Sequence, residues 1–289
     1  MTKKNQTVRL ALPKGRMKDG VLELLEDAGI RIRMSSRGYR PTISLPNYET
    51  KILKPQSIVE MLALGSRDVG FAGADWVAEL GADLVELLDT GLDQVRIVAA
   101  APVALLENGA LPKTKLLIAS EMEQITKDWI EKKELDATFL RSYGATEVFP
   151  PEDADLIVDI AATGDTLRAN KLMIVDELMT SSTRLYANPA ALEDPAKRQQ
   201  LDRLVLVLKS VLQARKRAMV EVNVTQDKLE AVIAVLPCMR EPTLAPLHGG
   251  NGYAVKAAVP RALLAQVIPE IKQRGGTDIV VTKIEQISA

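Results

Sequence analysis

The segment Asp155-Leu156-Ile157-Val158-Asp159-Ile160-Ala161-Ala162-Thr163-Gly164-Asp165-Thr166-Leu167 joins an apolar run to a small polar loop, a pairing suited to holding a phosphate. Residues 156–160 have the length and branched content of a strand covered on both faces. Asp159 then falls near the strand's carboxyl end, where open α/β sheets place their ligands. Gly164 permits a turn that points successive N–H groups inward, and Thr163 and Thr166 add hydroxyl donors. Residues 166–172 are expected to open a helix whose positive end faces the same anion. Asp155 and Asp159 stand roughly 13 Å apart along an extended strand, too far to share one magnesium ion, so Asp159 alone is the expected carboxylate. An ordinary strand, turn and capped helix would carry the same pattern, and the rest of the chain has to decide.

Two cations, Lys14 and Arg16, follow the apolar run 8–12, either as ligands for an anion or as solvated loop charge. The turn Gly73-Ala74-Asp75 sets backbone donors at a second strand end, with Asp75 either lining a site or capping the next helix. His248 is the only histidine, which excludes two-histidine metal sites. It lies in the turn-rich stretch 247–252 and reads as a loop residue, with a lesser claim to contact an effector. Cys238 is the only cysteine, so an internal disulfide and a cysteine metal cluster are both excluded. Lys plus Arg (37) balance Asp plus Glu (38) and aromatics are few, which argues against binding a nucleic acid polymer. Residues 1–7 are polar and the run 8–12 is too short for a signal peptide or a membrane span, so a cytoplasmic location is expected.

These residues need a scaffold of alternating elements. Strands are expected at 8–12, 39–45, 48–53, 67–73, 95–103, 116–120, 137–140, 156–160, 173–178 and 182–187. Helices are expected at 17–28, 55–64 and 123–133, after the Gly73 turn, from the turn at 143–147, and from Asp194-Pro195, where Asp caps and Pro takes the first helical position. Alternation of this kind predicts an α/β protein with two lobes and a cleft between them. The long helix after Pro195 ends in Arg215-Lys216-Arg217, read as a solvated helix end and a connector. From residue 219 the order becomes β-α-β-β-α-β, a ferredoxin-like arrangement suited to sensing a small ligand or to oligomerisation.

Taken together, the residues resemble the long-form ATP phosphoribosyltransferases, the enzymes that open histidine biosynthesis. The resemblance rests on Leu12-Pro13-Lys14-Gly15-Arg16, on the stretch from Asp68 to Asp75, on Thr163-Gly164-Asp165-Thr166-Leu167 within 155–170, on Ser182-Thr183-Arg184-Leu185-Tyr186-Ala187-Asn188, and on Leu236-Pro237 followed by Pro242-Thr243. It implies a catalytic part at 1–217 similar to type II periplasmic binding proteins, with lobe I at about 1–100 and 185–217 and lobe II at about 101–184. A ferredoxin-like (ACT-like) regulatory domain is implied at 218–289. The implied activity moves the phosphoribosyl group of phosphoribosyl pyrophosphate to N1 of ATP, releases pyrophosphate with Mg2+, and is inhibited by histidine in a homo-oligomer, a dimer or hexamer.

By the same resemblance, Asp159, Ala162, Thr163, Gly164, Asp165, Thr166 and Leu167 bind phosphoribosyl pyrophosphate, with Asp159 meeting ribose hydroxyls directly or through magnesium. Lys14, Arg16, Gly73 and Asp75 fall on the ATP side, Lys14, Arg16 and Asp159 are the implied catalytic residues, and His248 is a candidate regulatory contact. Two positions depart from the family pattern. Lys54 stands where these enzymes often carry Arg, and Asp165 puts a carboxylate inside a phosphate loop. Rival readings are a non-catalytic ligand sensor on the same fold and a prephenate dehydratase-like lyase, the latter suggested by Thr183-Arg184-Leu185 and opposed by the phosphate loop.

Overall fold

The structure is a computed structural model that describes residues 7–34 and 38–288; residues 1–6 of the polar leading stretch lie outside it. Its first strands are β1 (Val8–Pro13), β2 (Ile32–Arg33), β3 (Thr42–Ile43), β4 (Tyr48–Leu53), β5 (Val69–Gly73), β6 (Val85–Pro102), β7 (Leu116–Ser120), β8 (Ala137–Arg141), β9 (Leu156–Ala161) and β10 (Leu172–Ala187). The helices among and after them are α1 (Met17–Asp27), α2 (Pro55–Ala63), α3 (Ala74–Glu79), α4 (Glu123–Lys132), α5 (Asp165–Ala169), α6 (Pro189–Glu193) and α7 (Pro195–Arg215). The chain closes with β11 (Arg217–Val224), α8 (Leu229–Ile233), β12 (Thr243–Pro246), β13 (Tyr253–Pro260), α9 (Leu264–Gln273) and β14 (Thr277–Lys283). It divides into two compact units, Met1–Glu23 with Ile30–Leu201, and Leu24–Gly29 with Asp202–Ala289.

The first unit holds an eight-stranded sheet in the order β4-β1-β5-β10-β6-β9-β7-β8. β4, β1 and β5 are mutually parallel, as are β9, β7 and β8, while β10 and β6 run antiparallel between the two groups. This is the expected two-lobed α/β architecture: β5 joins β10 through Thr183–Ala187, β9 joins β6 through Arg96–Ala100, β6 and β10 run between the lobes, and the Gln124 and Ile125 N–H groups at the start of α4 bond the Glu79 carboxylate of α3. Each lobe has its own core. Ala11, Ile58, Val59, Leu62, Ala72 and Tyr186 pack together in one, and Ile97, Leu116, Ile118, Trp129, Leu156 and Val158 in the other.

A buried ion cluster pins the first lobe. Asp68, 2% exposed, accepts from the Arg9 N–H (2.7 Å) and Arg9 Nε (3.0 Å) and from Lys197 Nζ (2.9 Å). Burial works against its charge, yet the bonds from Arg9 and Lys197 prevail and hold its carboxyl below the ordinary range. Arg9 also reaches the Gly65 carbonyl (2.8 Å), so strand, helix end and loop share one set of polar bonds.

In the second unit the sheet order is β12-β13-β11-β14, all antiparallel. This is the ferredoxin-like order anticipated from β-α-β-β-α-β. Alternate residues Val220, Val222 and Val224 of β11 and Val255, Ala257 and Val259 of β13 face Val232, Val267 and Ile271 of the helices. Arg215 does not end in solvent as its cluster suggested: its guanidinium bonds Asp27 Oδ2 (2.7 Å) within the same unit.

Several expected elements differ. β6 runs 18 residues, beginning ten before the apolar stretch, because pairing with β10 carries the acidic, glycine-containing part 85–94 into the sheet. The strands expected at 173–178 and 182–187 are one 16-residue strand whose register breaks at 174/176, 177/179 and 181/183 disguise its continuity. The helix expected at 166–172 is the five-residue α5, since Lys171 adopts a positive φ of 58° and Leu172 already pairs in β10. The strand expected at 39–45 shrinks to β3, and the helix start expected at 143–147 is a single 3-10 turn, Thr146–Val148.

Candidate active site

β1 and β4 are parallel neighbours, with Pro13 level with Leu53, so Lys14-Gly15-Arg16 and Lys54 emerge side by side at their carboxyl ends. The Lys14 N–H bonds the Leu53 carbonyl (2.9 Å). These residues border a cavity of about 460 Å³ whose wall includes Gly73, Asp75 and Trp76 from the turn into α3, Asp93 from β6, Glu121 and Ile160 from the second lobe, and Ser181–Ser182–Thr183 from β10. Among the described residues no ion pair engages Lys14, Arg16 or Lys54. Three cations therefore present themselves to whatever anion enters.

On the opposite wall Asp75 and the hydroxyls of Ser181, Ser182 and Thr183 are buried and bonded. Asp75 is 3% exposed; its Oδ1 accepts from Ser181 Oγ (2.8 Å), which in turn accepts from the Asp75 N–H (3.1 Å). The cap of α3 is Gly73, with no side-chain cap bond, so Asp75 serves the cavity wall rather than the helix end. The carboxylate lies so close over Gly73 that a Cβ there would collide with Oδ1, which explains the glycine. Thr183, fully buried, donates to Asp93 Oδ2 (2.8 Å), and Ser182 donates to Asp89 Oδ1 (2.7 Å). A row of three hydroxyls across the bulge of β10 thus fixes three carboxylates.

Asp159 sits on β9 opposite Val98 of β6, one residue before the cavity-lining Ile160. Burial, with the charges of Glu147 and Glu121, outweighs the bond from the Ile160 N–H (2.7 Å) and pushes its carboxyl up to about 6. Asp155 is turned away from this chemistry, its Oδ2 accepting from the Leu117 N–H (2.6 Å) at the edge of β7.

Beyond Asp159 the loop opens to solvent. Ala162 lines a second cavity of about 460 Å³ with Arg96 and Arg184, which shares Ser181 and Ser182 with the first. Gly164 has φ +79°, the left-handed conformation that starts α5, and with Leu167 borders a third cavity formed by 164–174 and Val103. Asp165 bonds both Thr163 Oγ1 and the guanidinium of Arg168, and these donors hold its carboxyl below the ordinary range.

The fold thus brings Lys14, Arg16, Gly73 and Asp75 around one cavity, sets Ala162 at its neighbour, and leaves Thr163, Asp165 and Thr166 on an exposed rim. His248 is exposed in the turn closed by the Leu247 N–H to Gly252 carbonyl bond (2.9 Å), in the second unit. Sequence reasoning gave no role to Ser181, Asp93 or Glu121. Three successive hydroxyl residues inside a strand were the available signal for the first, because a strand buries such a run only when partners await it.

A family model described as ATP phosphoribosyltransferase matches residues 54–210, and one described as HisG, C-terminal domain, matches residues 214–286. An ATP phosphoribosyltransferase of Chlorobium phaeovibrioides is 35% identical over 99% of both chains, and one of Solibacter usitatus is 35% identical over 97% of this chain and 99% of its own. Among solved structures, a chain of the ATP phosphoribosyl transferase (HisG:HisZ) complex from Thermotoga maritima superposes with a TM-score of 0.64 and 27% identity, covering 72% of this chain and 99% of that one.

Proposed function

The chain belongs to the ATP phosphoribosyltransferase family, and from that premise we propose that the cavity around Lys14 and Arg16, with the loop after Asp159, receives its two substrates. The activity is transfer of the phosphoribosyl group of phosphoribosyl pyrophosphate to N1 of ATP, the first step of histidine biosynthesis. One observation carries the assignment to this cavity: three unpaired cations at parallel strand ends face a wall on which the carboxylates of Asp75 and Asp93 are already bonded to hydroxyls.

Departure of pyrophosphate builds positive charge on the ribose ring and negative charge on the leaving group. Lys14, Arg16 and Lys54 suit the second, and the half-buried Asp159 suits the ribose, its hydroxyls and the charge that grows there. Adenine N1 carries a free lone pair, so a strong base is unnecessary and the lack of a Ser-His or Cys-His pair is no obstacle. Asp75 and Gly73 shape the wall for the nucleotide. The amides and hydroxyls of Thr163 to Leu167 take the sugar phosphate.

Among the described residues no cluster of three carboxylate, histidine or cysteine groups is arranged to hold a metal. A single hard carboxylate, Asp159, would be the residue that meets Mg2+ arriving with the substrate. When bound, it supplies charge neutralisation for the departing pyrophosphate. Histidine as an inhibitor belongs to the second unit, with a coupling typically worth about 1–3 kcal/mol. Assembly into homo-oligomers and a cytoplasmic location complete the proposal, and no helix of the described residues is long and apolar enough to cross a membrane.

The test is pyrophosphate release by the full chain with magnesium. Release that needs both ATP and phosphoribosyl pyrophosphate, and that falls when Lys14 or Arg16 is replaced by Ala, supports the assignment. Unchanged release in both variants would move the substrates elsewhere.

A further inference from the structure

We propose that Asp165 is a positioning residue that acts as an internal stand-in for the substrate's phosphate, occupying the donors of the loop until phosphoribosyl pyrophosphate displaces it. The inference rests on the reading of Thr163 to Leu167 as the phosphate loop. In the loop Asp165 Oδ2 accepts from Thr163 Oγ1, and Oδ1 accepts from the guanidinium of Arg168. Arg168 is also tied to the Thr163 carbonyl through its second nitrogen (3.3 Å). A hydroxyl and an arginine are what a phosphate would recruit here. Both are already held by a carboxylate.

The carboxylate is the chain's own choice at this point, since the turn needs only Gly164 in the left-handed conformation and α5 begins after it. Asp165 and Arg168 have side chains 73% and 67% exposed, so their pairing is screened and easily exchanged. A latch of this strength delays no binding, but it subtracts the same increment from every anion that seeks the loop. Phosphoribosyl pyrophosphate recovers the loss through its other contacts, at Asp159 and at the cations. Free phosphate has no other contacts, so the same increment leaves it weakly held at the loop, with the ratio of the two affinities unchanged.

The experiment is steady-state kinetics on the full chain with Asp165→Asn, Asp165→Glu and, as a charge control, Glu152→Gln in an exposed turn. Asp165→Asn is expected to lower KM for phosphoribosyl pyrophosphate about two- to fivefold, as breaking an exposed pair allows, and to strengthen competitive inhibition by inorganic phosphate by the same factor. KM for ATP and kcat should hold, Asp165→Glu should restore the parental values, and Glu152→Gln should change nothing. An unchanged or raised KM in Asp165→Asn overturns the latch, as does an equal gain in Glu152→Gln. Thr163→Ala separates the two failures. If it weakens phosphoribosyl pyrophosphate while Asp165→Asn has no effect, only the latch falls; if Thr163→Ala also has no effect, the phosphate-loop reading falls and the latch with it.

Discussion

The two sides of the substrate cleft are built by opposite means. On the wall of Asp75, Asp93 and Asp89, every named carboxylate takes a hydroxyl from the β10 bulge, and Thr183 and Asp75 are nearly or wholly out of solvent. On the rim of Thr163 to Arg168, the polar groups satisfy one another in the open. Buried polar bonds resist exchange because an unpaired group costs its full desolvation, whereas exposed pairs exchange with water or ligand at little cost. The wall is therefore a fixed template, and the rim a set of donors released on demand. Asp159 stands between the two, half-buried and without a side-chain partner to hold its charge.

The largest break in this contrast is expected at Asp159. The native state holds its proton more tightly than the unfolded chain, so its contribution to stability is fullest below about pH 4 and is lost as pH rises through about 6. Above that the ionised carboxylate costs about 3 kcal/mol relative to a site without the shift. Asp159→Asn should raise the Tm more at pH 8 than at pH 5, while reducing turnover on the order of a hundredfold or more. Paired thermal melts and assays check both; a variant that loses activity without the pH-dependent gain in Tm would show that Asp159 is not held at a cost for function. In the parent enzyme, affinity for phosphoribosyl pyrophosphate with magnesium should rise as pH passes about 6, measured by calorimetry.

The wall comes next. Ser181→Ala removes the hydroxyl that Asp75 Oδ1 and the Asp75 N–H both use, and should cost about 1–3 kcal/mol in denaturant melts. A loss of a few tenths would mean that water fills the gap and the wall is less fixed than argued. Lys14→Ala should raise KM for ATP or phosphoribosyl pyrophosphate about tenfold with the Tm unchanged, because one charge-assisted bond is worth about 1.5 kcal/mol. Lys54→Arg, which supplies a bidentate fork in place of a point charge, should lower the same KM a few fold. The latch at Asp165 is the smallest of these effects.

Much of this was legible in the sequence because local pattern and tertiary role agree. The run 156–160, the glycine turns and the Asp194-Pro195 helix start all fold as their residues dictate, and Asp194 Oδ1 accepts from the Ala196 N–H (2.9 Å) as a cap should. The β-α-β-β-α-β order alone fixed the second sheet. What escaped was the full extent of β6 and β10, the two strands that run between the lobes: the 85–94 part of the first and the continuity of the second. Their acidic and hydroxyl-rich stretches have poor intrinsic strand preference and are held by pairing with each other. The site residues that escaped, Ser181, Asp93 and Glu121, lie far apart in sequence; β10 and β6 carry the first two to the cavity, and the end of β7 brings the third. Asp165 was visible as an oddity, a carboxylate in a phosphate loop; that Arg168 and Thr163 answer it required coordinates.

The most direct test is a crystal structure of the full chain with phosphoribosyl pyrophosphate and magnesium. In that complex the sugar phosphate should lie within hydrogen-bonding reach of the Gly164 to Thr166 amides, with Asp165 withdrawn from Thr163 and Arg168, the ribose at Asp159, and the pyrophosphate toward Lys14 and Arg16. A sugar phosphate seated on Lys14 and Arg16 instead, with the Asp165 to Arg168 pair intact, would contradict this arrangement.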